Sequence, residues 1–325
     1  MSTRPSITGQ SILVTGGAGF IGSHLVDGLL KEGAREVVVI DNLFVGSEDN
    51  LNSALATGKV VFYRDDAELS TSLDYIFKNH QIDVVFNCAT KALNYSFLNP
   101  ANAFSTNVTV VLNLLEIQRR GGFKTLCHFS TSEVYGSAVY EPMDEAHPKN
   151  PTTTYAAGKA AADHAVESYV RMFDLDAFIV RPFNNYGPRQ NYKGMLAGII
   201  PITAWRILNG IAPELHGDGL QSRDFIYVHD TVDAVVKLYD KMPAGESVNI
   251  STDNQISISE LLPRICSGMG YAGEIVKKPG RKSDVLCHLA SNEKVHGMID
   301  YKLTPFDQGL RDTLAWYKAN IEVKQ

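Results

Sequence analysis

No run in the 325 residues approaches the roughly 18 uninterrupted apolar residues that a membrane span requires. The opening stretch, MSTRPSITGQ, lacks the apolar core of a secretory signal, so the chain is expected to be cytoplasmic with no membrane partner. Cysteine is scarce. Cys88, Cys127, Cys266 and Cys287 have neither the short spacing of metal ligands nor the density of a secreted disulfide scaffold. They read as reduced and structural, and no metal is expected. Basic blocks are missing too: formal net charge is −6 and spread along the chain, which leaves a nucleic-acid surface without electrostatic support. With no internal repeat or low-complexity tract, the length suits one large or two modest domains with a substantial core.

What the sequence does have is a glycine-punctuated turn at Ser11 to Gly22, SILVTGGAGFIG. Ile12, Leu13 and Val14 form a short apolar run that suits a buried parallel strand, and His24 to Leu30 continues at helical spacing. Between them, Gly16 allows a tight turn, Gly19 allows a pyrophosphate to approach the backbone, and Gly22 allows a helix to pack closely on the strand. Taken alone, such glycines serve helix packing equally well. A second apolar run, Val37 to Ile40, ends in Asp41, about twenty residues past the glycines, where a carboxylate accepts from ribose hydroxyls and repels a 2′-phosphate. This favours NAD over NADP, although an acid at a strand end also initiates turns.

Strand-like runs alternate with helical stretches: Ser11 to Thr15, Val37 to Ile40, Val60 to Tyr63, Val84 to Asn87, Thr125 to Ser130 and Ala177 to Val180. The alternation predicts an α/β fold, a Rossmann-like doubly wound parallel sheet. Helices are expected over Pro100 to Arg120, stopped by Gly121 and Gly122, and over Tyr155 to Phe173. After Arg181-Pro182, glycine and proline punctuation marks a smaller, less regular C-terminal lobe. The expected division is residues 8–181 for the dinucleotide domain, rejoined by 222–250, with 182–221 and 251–325 as a substrate-binding lobe. Within the returning stretch, Ser222 to Val228 and Ser247 to Ile250 read as strands and Asp230 to Tyr239 as a helix.

Two clusters carry chemistry. In TYAAGK, Tyr155 and Lys159 stand four apart and share a helix face. An ammonium near a phenol favours the phenolate, so the tyrosine is expected to work as a base near neutral pH. A Tyr and Lys at this spacing also occur on solvated faces. In STSEVYG, Thr131, Ser132 and Glu133 follow a strand end, where hydroxyls and a carboxylate would meet a ligand or cap a turn.

Taken in order, TGGAGFIG, STSEVYG, YAAGK, RPFNNYGPRQ (181–190) and GDGLQSRDFIYVHD (217–230) make the chain resemble the extended short-chain dehydrogenase/reductase superfamily, in its nucleotide-sugar epimerase and 4,6-dehydratase branch. The resemblance implies an NAD-dependent enzyme acting on a nucleotide-diphosphate sugar. For the cofactor it implies Gly16, Gly19, Phe20, Ile21 and Gly22 at the pyrophosphate turn, Asp41 and Asn42 at the ribose, and Asp66 and Ala67 at the adenine. Ala89 and Lys91 would follow along the cofactor, Asn107 would support the active-site water or helix, and Lys159 would hold the nicotinamide ribose. Tyr155 would take the proton from the sugar 4-hydroxyl, with Thr131 bonding the same oxygen. Asn184, Arg189 and Arg223 match positions that grip the sugar nucleotide, and Arg281 with Asp284 resembles an RxxD element near the nucleotide ribose. A homodimer through a four-helix bundle of Pro100 to Arg120 and Tyr155 to Phe173 is also implied.

Glu133 stands where the 4,6-dehydratases keep the base that removes the carbon-5 proton, whereas 4-epimerases usually carry a small or neutral residue there. Dehydration is therefore the leading expectation, ahead of 4-epimerisation or 4-dehydrogenation. The chain departs from the dTDP-glucose dehydratases in having Ser132 where they have Asp, and in its ATKALNYSF segment (89–97). UDP-glucuronate decarboxylation ranks third, since the PRxCYDEGKR signature is missing around Thr152 to Ala161. A catalytically silent NAD-binding sensor or scaffold is the reading from another class, and the joint presence of Thr131, Tyr155 and Lys159 argues against it.

Overall fold

A strand that is apolar along its whole length needs cover on both faces, and the fold supplies it with a helical layer on each side of one sheet. The computed structural model describes residues 4–280 and 289–321. The first half runs β1 (Ser11–Thr15), α1 (Phe20–Lys31), β2 (Glu36–Ile40), α2 (Asn52–Leu55), β3 (Val60–Tyr63), α3 (Ser70–Asn79) and β4 (Val84–Asn87). It continues with α4 (Pro100–Arg119), β5 (Thr125–Phe129), α5 (Thr154–Phe173) and β6 (Asp176–Pro182). These elements match the expected alternation to within a residue or two at most ends.

The remainder is shorter and more broken: β7 (Asn184–Tyr186), α6 (Ile199–Leu208), β8 (Glu214–His216), β9 (Ser222–Arg223), β10 (Phe225–Tyr227), α7 (Val228–Leu238) and β11 (Ser247–Ile250). It closes with β12 (Ile256–Ser257), α8 (Ile258–Met269), β13 (Val276–Lys278), α9 (Glu293–Met298) and α10 (Phe306–Asn320). The central sheet is seven-stranded in the order β11-β6-β5-β4-β1-β2-β3, with every pairing parallel.

Successive residues of each strand feed opposite layers. Ile12, Val14, Val37, Val39 and Phe86 pack with Leu25, Val26 and Leu29 of α1 and Val232, Val235 and Leu238 of α7. Their neighbours Leu13, Val38, Val85 and Leu126 pack on the other face with Val110 and Leu114 of α4 and Val166 of α5. A separate core holds the second lobe together, built from Tyr186, Ile200, Phe225, Leu261, Ile265, Leu314 and Tyr317. The chain winds outward from β1 to β3 and then returns to lay β4 on the other side of β1. That reversal opens a crevice at the carboxyl ends of β1 and β4.

One expected strand is broken. Ser222 to Val228 divides at Asp224, whose buried carboxylate accepts from the backbone nitrogen and hydroxyl of Thr252 at 2.8 and 2.7 Å. On either side, β9 pairs antiparallel with β12 and β10 pairs parallel with β7. Neither joins the central sheet, and the strand that returns to it is β11, beside β6.

Leu114 is fully buried between α4 and the sheet. Leu114→Ala is expected to cost about 2–5 kcal/mol of stability, through lost transfer energy and the cavity left behind. A urea-unfolding midpoint indistinguishable from wild type would contradict this packing.

Candidate active site

Loops at the carboxyl ends of the strands and elements of the second lobe enclose one elongated cavity. Its floor at the switch point is the glycine turn. Gly16 has φ +68°, and a Cβ there would stand 2.8 Å from Ala89 Cα, while a Cβ on Gly22 would fall 2.2 Å from the Gly16 carbonyl oxygen. Side chains are thus excluded from the turn by the backbone itself. Helix α1 begins directly after it, with no side-chain cap and no acidic residue in its first turn. The first-turn N–H groups of a helix lack intrahelical acceptors, and at this end they form a cradle for an anion.

Asp41 closes the next side. It is 9 % exposed, and its carboxylate accepts from the backbone nitrogens of Ala18 at 3.0 Å and Leu43 at 2.8 Å. Burial pushes its carboxyl up, against those N–H bonds, which favour the charged form. Asn42 donates to Asp66 at 2.7 Å, and both line the cavity beside Ala67. Lys91 is 8 % exposed, with Nζ 4.0 Å from the centre of the Phe44 ring and 5.8 Å from that of Tyr95. It places a cation in the wall between β4 and the glycine turn.

The second cluster sits at the ends of β5 and α5. Thr131 caps the 3₁₀ turn Ser132–Tyr135 by accepting from the Glu133 nitrogen at 3.2 Å, and its side chain is also hydrogen-bonded to Tyr155. The capping role and the site role therefore coexist in one hydroxyl. Ser132, Glu133, Tyr155 and Lys159 all line the same cavity. Lys159 is 2 % exposed, and its Nζ donates to the Phe129 carbonyl at 2.5 Å. Burial pulls this ammonium down to about 8.

Burial works against the lowering of the phenol expected from the neighbouring lysine. Burial pushes the Tyr155 phenol up to about 12, with the Glu133 charge adding to it and hydrogen bonds from Thr131 and Thr90 opposing. The lysine alone does not bring the phenol into the neutral range, because desolvating a phenolate outweighs a cation bound elsewhere.

Asn107 stands behind the wall. It is 1 % exposed, and its Oδ1 accepts from Thr90 Oγ1 at 2.9 Å and the Lys91 nitrogen at 3.1 Å, which holds the segment after β4 in place. Arg189, expected at the sugar nucleotide, turns to α1 and pairs with Asp27 at 2.7 Å, and it is not among the residues that line the cavity. Asn184 and Arg223 do line the cavity, Asn184 with a buried side-chain nitrogen that has no partner and Arg223 with a bond to the Ser222 carbonyl at 2.8 Å. Arg281 and Asp284 lie outside the described residues. Thr90, Phe44, Glu214 and His216 also line the cavity and were missed. Thr90 was legible as a hydroxyl just past a strand end; the others come from loops whose path has no local signal.

A glycine turn at a topological switch point, a carboxylate at the end of the second strand and a Tyr/Lys couple across the crevice define an NAD-binding doubly wound protein. The chain belongs to the NAD dependent epimerase/dehydratase family, whose model matches residues 12–251. A UDP-glucose 4-epimerase of Mycolicibacterium smegmatis is 32% identical over 309 residues, covering 94% of this chain and 98% of that one. Among solved structures, UDP-glucose 4-epimerase from Thermotoga maritima with UDP-glucose has a TM-score of 0.90 at 33% identity, covering 96% of this chain and 100% of that one. The dTDP-glucose 4,6-dehydratase from Streptomyces venezuelae, solved with NAD bound, has a TM-score of 0.89 at 30% identity, covering 95% and 97%.

Epimerases and dehydratases are thus equally similar to the chain. Among the described residues, no helix is long and apolar enough to cross a membrane.

Asp41→Asn removes the carboxylate at the end of β2 while keeping the size of the side chain. NAD affinity measured by calorimetry is expected to fall on the order of ten- to a hundredfold, the worth of charge-assisted hydrogen bonds. Unchanged affinity would remove Asp41 from the cofactor site.

Proposed function

We propose that the enzyme is a nucleotide-sugar 4,6-dehydratase. The observation that carries this reading is Glu133, a carboxylate held at 9 % exposure in the cavity wall, two residues after Thr131 and close enough to Tyr155 to raise its phenol. Epimerisation at carbon 4 gives Glu133 no proton to remove, whereas elimination across carbons 5 and 6 does.

The residues present fit the cofactor: the Gly16 and Gly22 cradle excludes side chains, the start of α1 offers unpaired N–H groups, and Asp41 stands at the end of β2. When bound, NAD supplies the acceptor for hydride from carbon 4, its donor to carbon 6, and a positive charge in the cavity. Tyr155 takes the proton of the sugar 4-hydroxyl, and Thr131 orients that oxygen by a hydrogen bond shared with the phenol. Lys159, pinned to the Phe129 carbonyl, holds the cofactor ribose and contributes its charge. The resulting 4-ketone acidifies carbon 5, and Glu133 removes that proton as the 6-hydroxyl leaves. Ser132 replaces the acid that dTDP-glucose dehydratases use for the departing hydroxyl, so the proton acquired by Glu133 is the one available to form water. Asn184 and Arg223 grip the diphosphate.

The exposed faces of α4 and α5 support a homodimer. Phe104 and Leu112 on α4 and Met172 and Phe173 on α5 are 41, 37, 69 and 41 % exposed, and large apolar side chains left in water on these helices favour cover by a second copy. Light scattering at micromolar concentration is expected to give twice the chain mass, and a monomer would refute the four-helix interface.

Tyr155→Phe is expected to abolish turnover. Glu133→Gln is expected to lower formation of the 4-keto-6-deoxy sugar 10²- to 10⁴-fold, the usual worth of a placed acid or base. Oxidation at carbon 4 should survive in it, detected as NADH absorbance in a single turnover. If Glu133→Gln forms product at the wild-type rate, the dehydratase assignment fails.

A further inference from the structure

Beneath Tyr155 and Lys159 lies a buried set of charges that the proposed reaction does not use. Asp163 follows Lys159 by about one turn of α5. Asp163 and His128 are 0 % exposed, and Arg181 is 1 % exposed. Oδ2 of Asp163 takes Nε and Nη2 of Arg181 at 3.1 and 3.0 Å, with Lys149 at 3.9 Å. Among the described residues Oδ1 has no hydrogen-bond partner, and it faces His128 Nε2, likewise without one, at 3.8 Å.

The direction of bonding at His128 is fixed from its far side. Thr15 Oγ1 donates to Asn87 Oδ1 at 2.6 Å, so the Asn87 amide nitrogen is what meets His128 Nδ1 at 3.1 Å. Nδ1 then accepts, and the ring proton lies on Nε2, directed at Asp163. Burial, with Lys159 and Arg181 nearby, keeps the ring neutral. Donors on β5 and β6 thus converge on a single carboxylate. Lys159 makes no ion pair within 4.0 Å among the described residues, and a buried ammonium is costly without an opposite charge nearby.

We propose that Asp163 is a positioning residue and the buried counter-ion of Lys159, holding that side chain as an ammonium on the Phe129 carbonyl, while Arg181, Lys149 and His128 fix the charge and orientation of Asp163 itself. Asp163 acts on Lys159 through space and opposes the loss of its proton to burial. Other titratable groups facing the cluster are Glu167 on α5, Cys88 on β4, Tyr135 on the 3₁₀ turn and Glu145 before α5. In Asp163→Asn, Lys149 and Arg181 keep Glu167 against them at 2.5 and 3.9 Å, whereas Lys159 loses its proposed counter-charge.

The consequence for turnover rests on the proposed roles of Tyr155 and Lys159, but the charge itself is readable without any reaction. In protein labelled with carbon-13 on lysine side chains, the resonance missing from Lys159→Met reports the Lys159 titration. Asp163→Asn is expected to lower its midpoint on the order of one to two pH units, and Asp163→Glu to keep it near the wild-type value. Lys149→Met, which removes a competing cation whose side chain is 14 % exposed, is expected to raise it. An unmoved midpoint in folded Asp163→Asn overturns the proposal; should that variant fail to fold, an unmoved or lowered midpoint in Lys149→Met overturns it. If the midpoint moves while the alkaline limb of the kcat/KM profile does not, the counter-ion stands and the role of Lys159 in turnover is what fails.

Discussion

Everything in this molecule depends on how closely the turn after β1 approaches the segment after β4. With a Cβ on Gly16 only 2.8 Å from Ala89, the two stretches touch as bare backbone. The contact sits where strand order reverses, so it fixes the depth of the crevice and the direction of α1 together. Thr15 reinforces it from below, bonding to Asn87 and accepting from the Ala89 nitrogen at 3.4 Å. Asn107 does the same from α4 by holding Thr90 and Lys91. A cofactor turn and a chemical cluster contributed by different strands are thereby held to one geometry.

The electrostatics of the site are a contest between burial and charge. Removing water pulls Lys159 down to about 8 and pushes Tyr155 up to about 12. Both shifts disfavour the charged forms, and the residues that oppose them lie on different sides: Asp163 beneath the lysine, Thr131 and Thr90 against the phenol. Burial thus works against the phenolate, and a positive ligand sharing the cavity would work for it.

Much of this was legible in the sequence, for physical reasons that also mark where legibility ends. All seven strands of the sheet were readable, the inner ones because burial on both faces makes them largely apolar, and the Tyr155 and Lys159 pair because helical spacing alone puts both on one face. The break at Asp224 was not, because what divides Ser222 to Val228 is a bond to Thr252 across the chain. Arg189 looked like a ligand residue from its motif, yet Asp27, far away in sequence, claims it. The same limit applies to the phenol: spacing reveals the neighbouring lysine but not the desolvation that outweighs it. Asp163 and His128 gave no signal at all, since their meaning comes from β5, β6 and α5 converging in three dimensions.

Similarity fixes the family and leaves the reaction to a few side chains, with Glu133 foremost among them. The most direct measurement is incubation of the purified enzyme with UDP-, GDP- and dTDP-hexoses in deuterated water, followed by NMR of the sugar product. Dehydration through Glu133 predicts a 4-keto-6-deoxy sugar with solvent deuterium at carbon 5. A product that retains the 6-hydroxyl, with carbon 4 inverted and no deuterium at carbon 5, would contradict it.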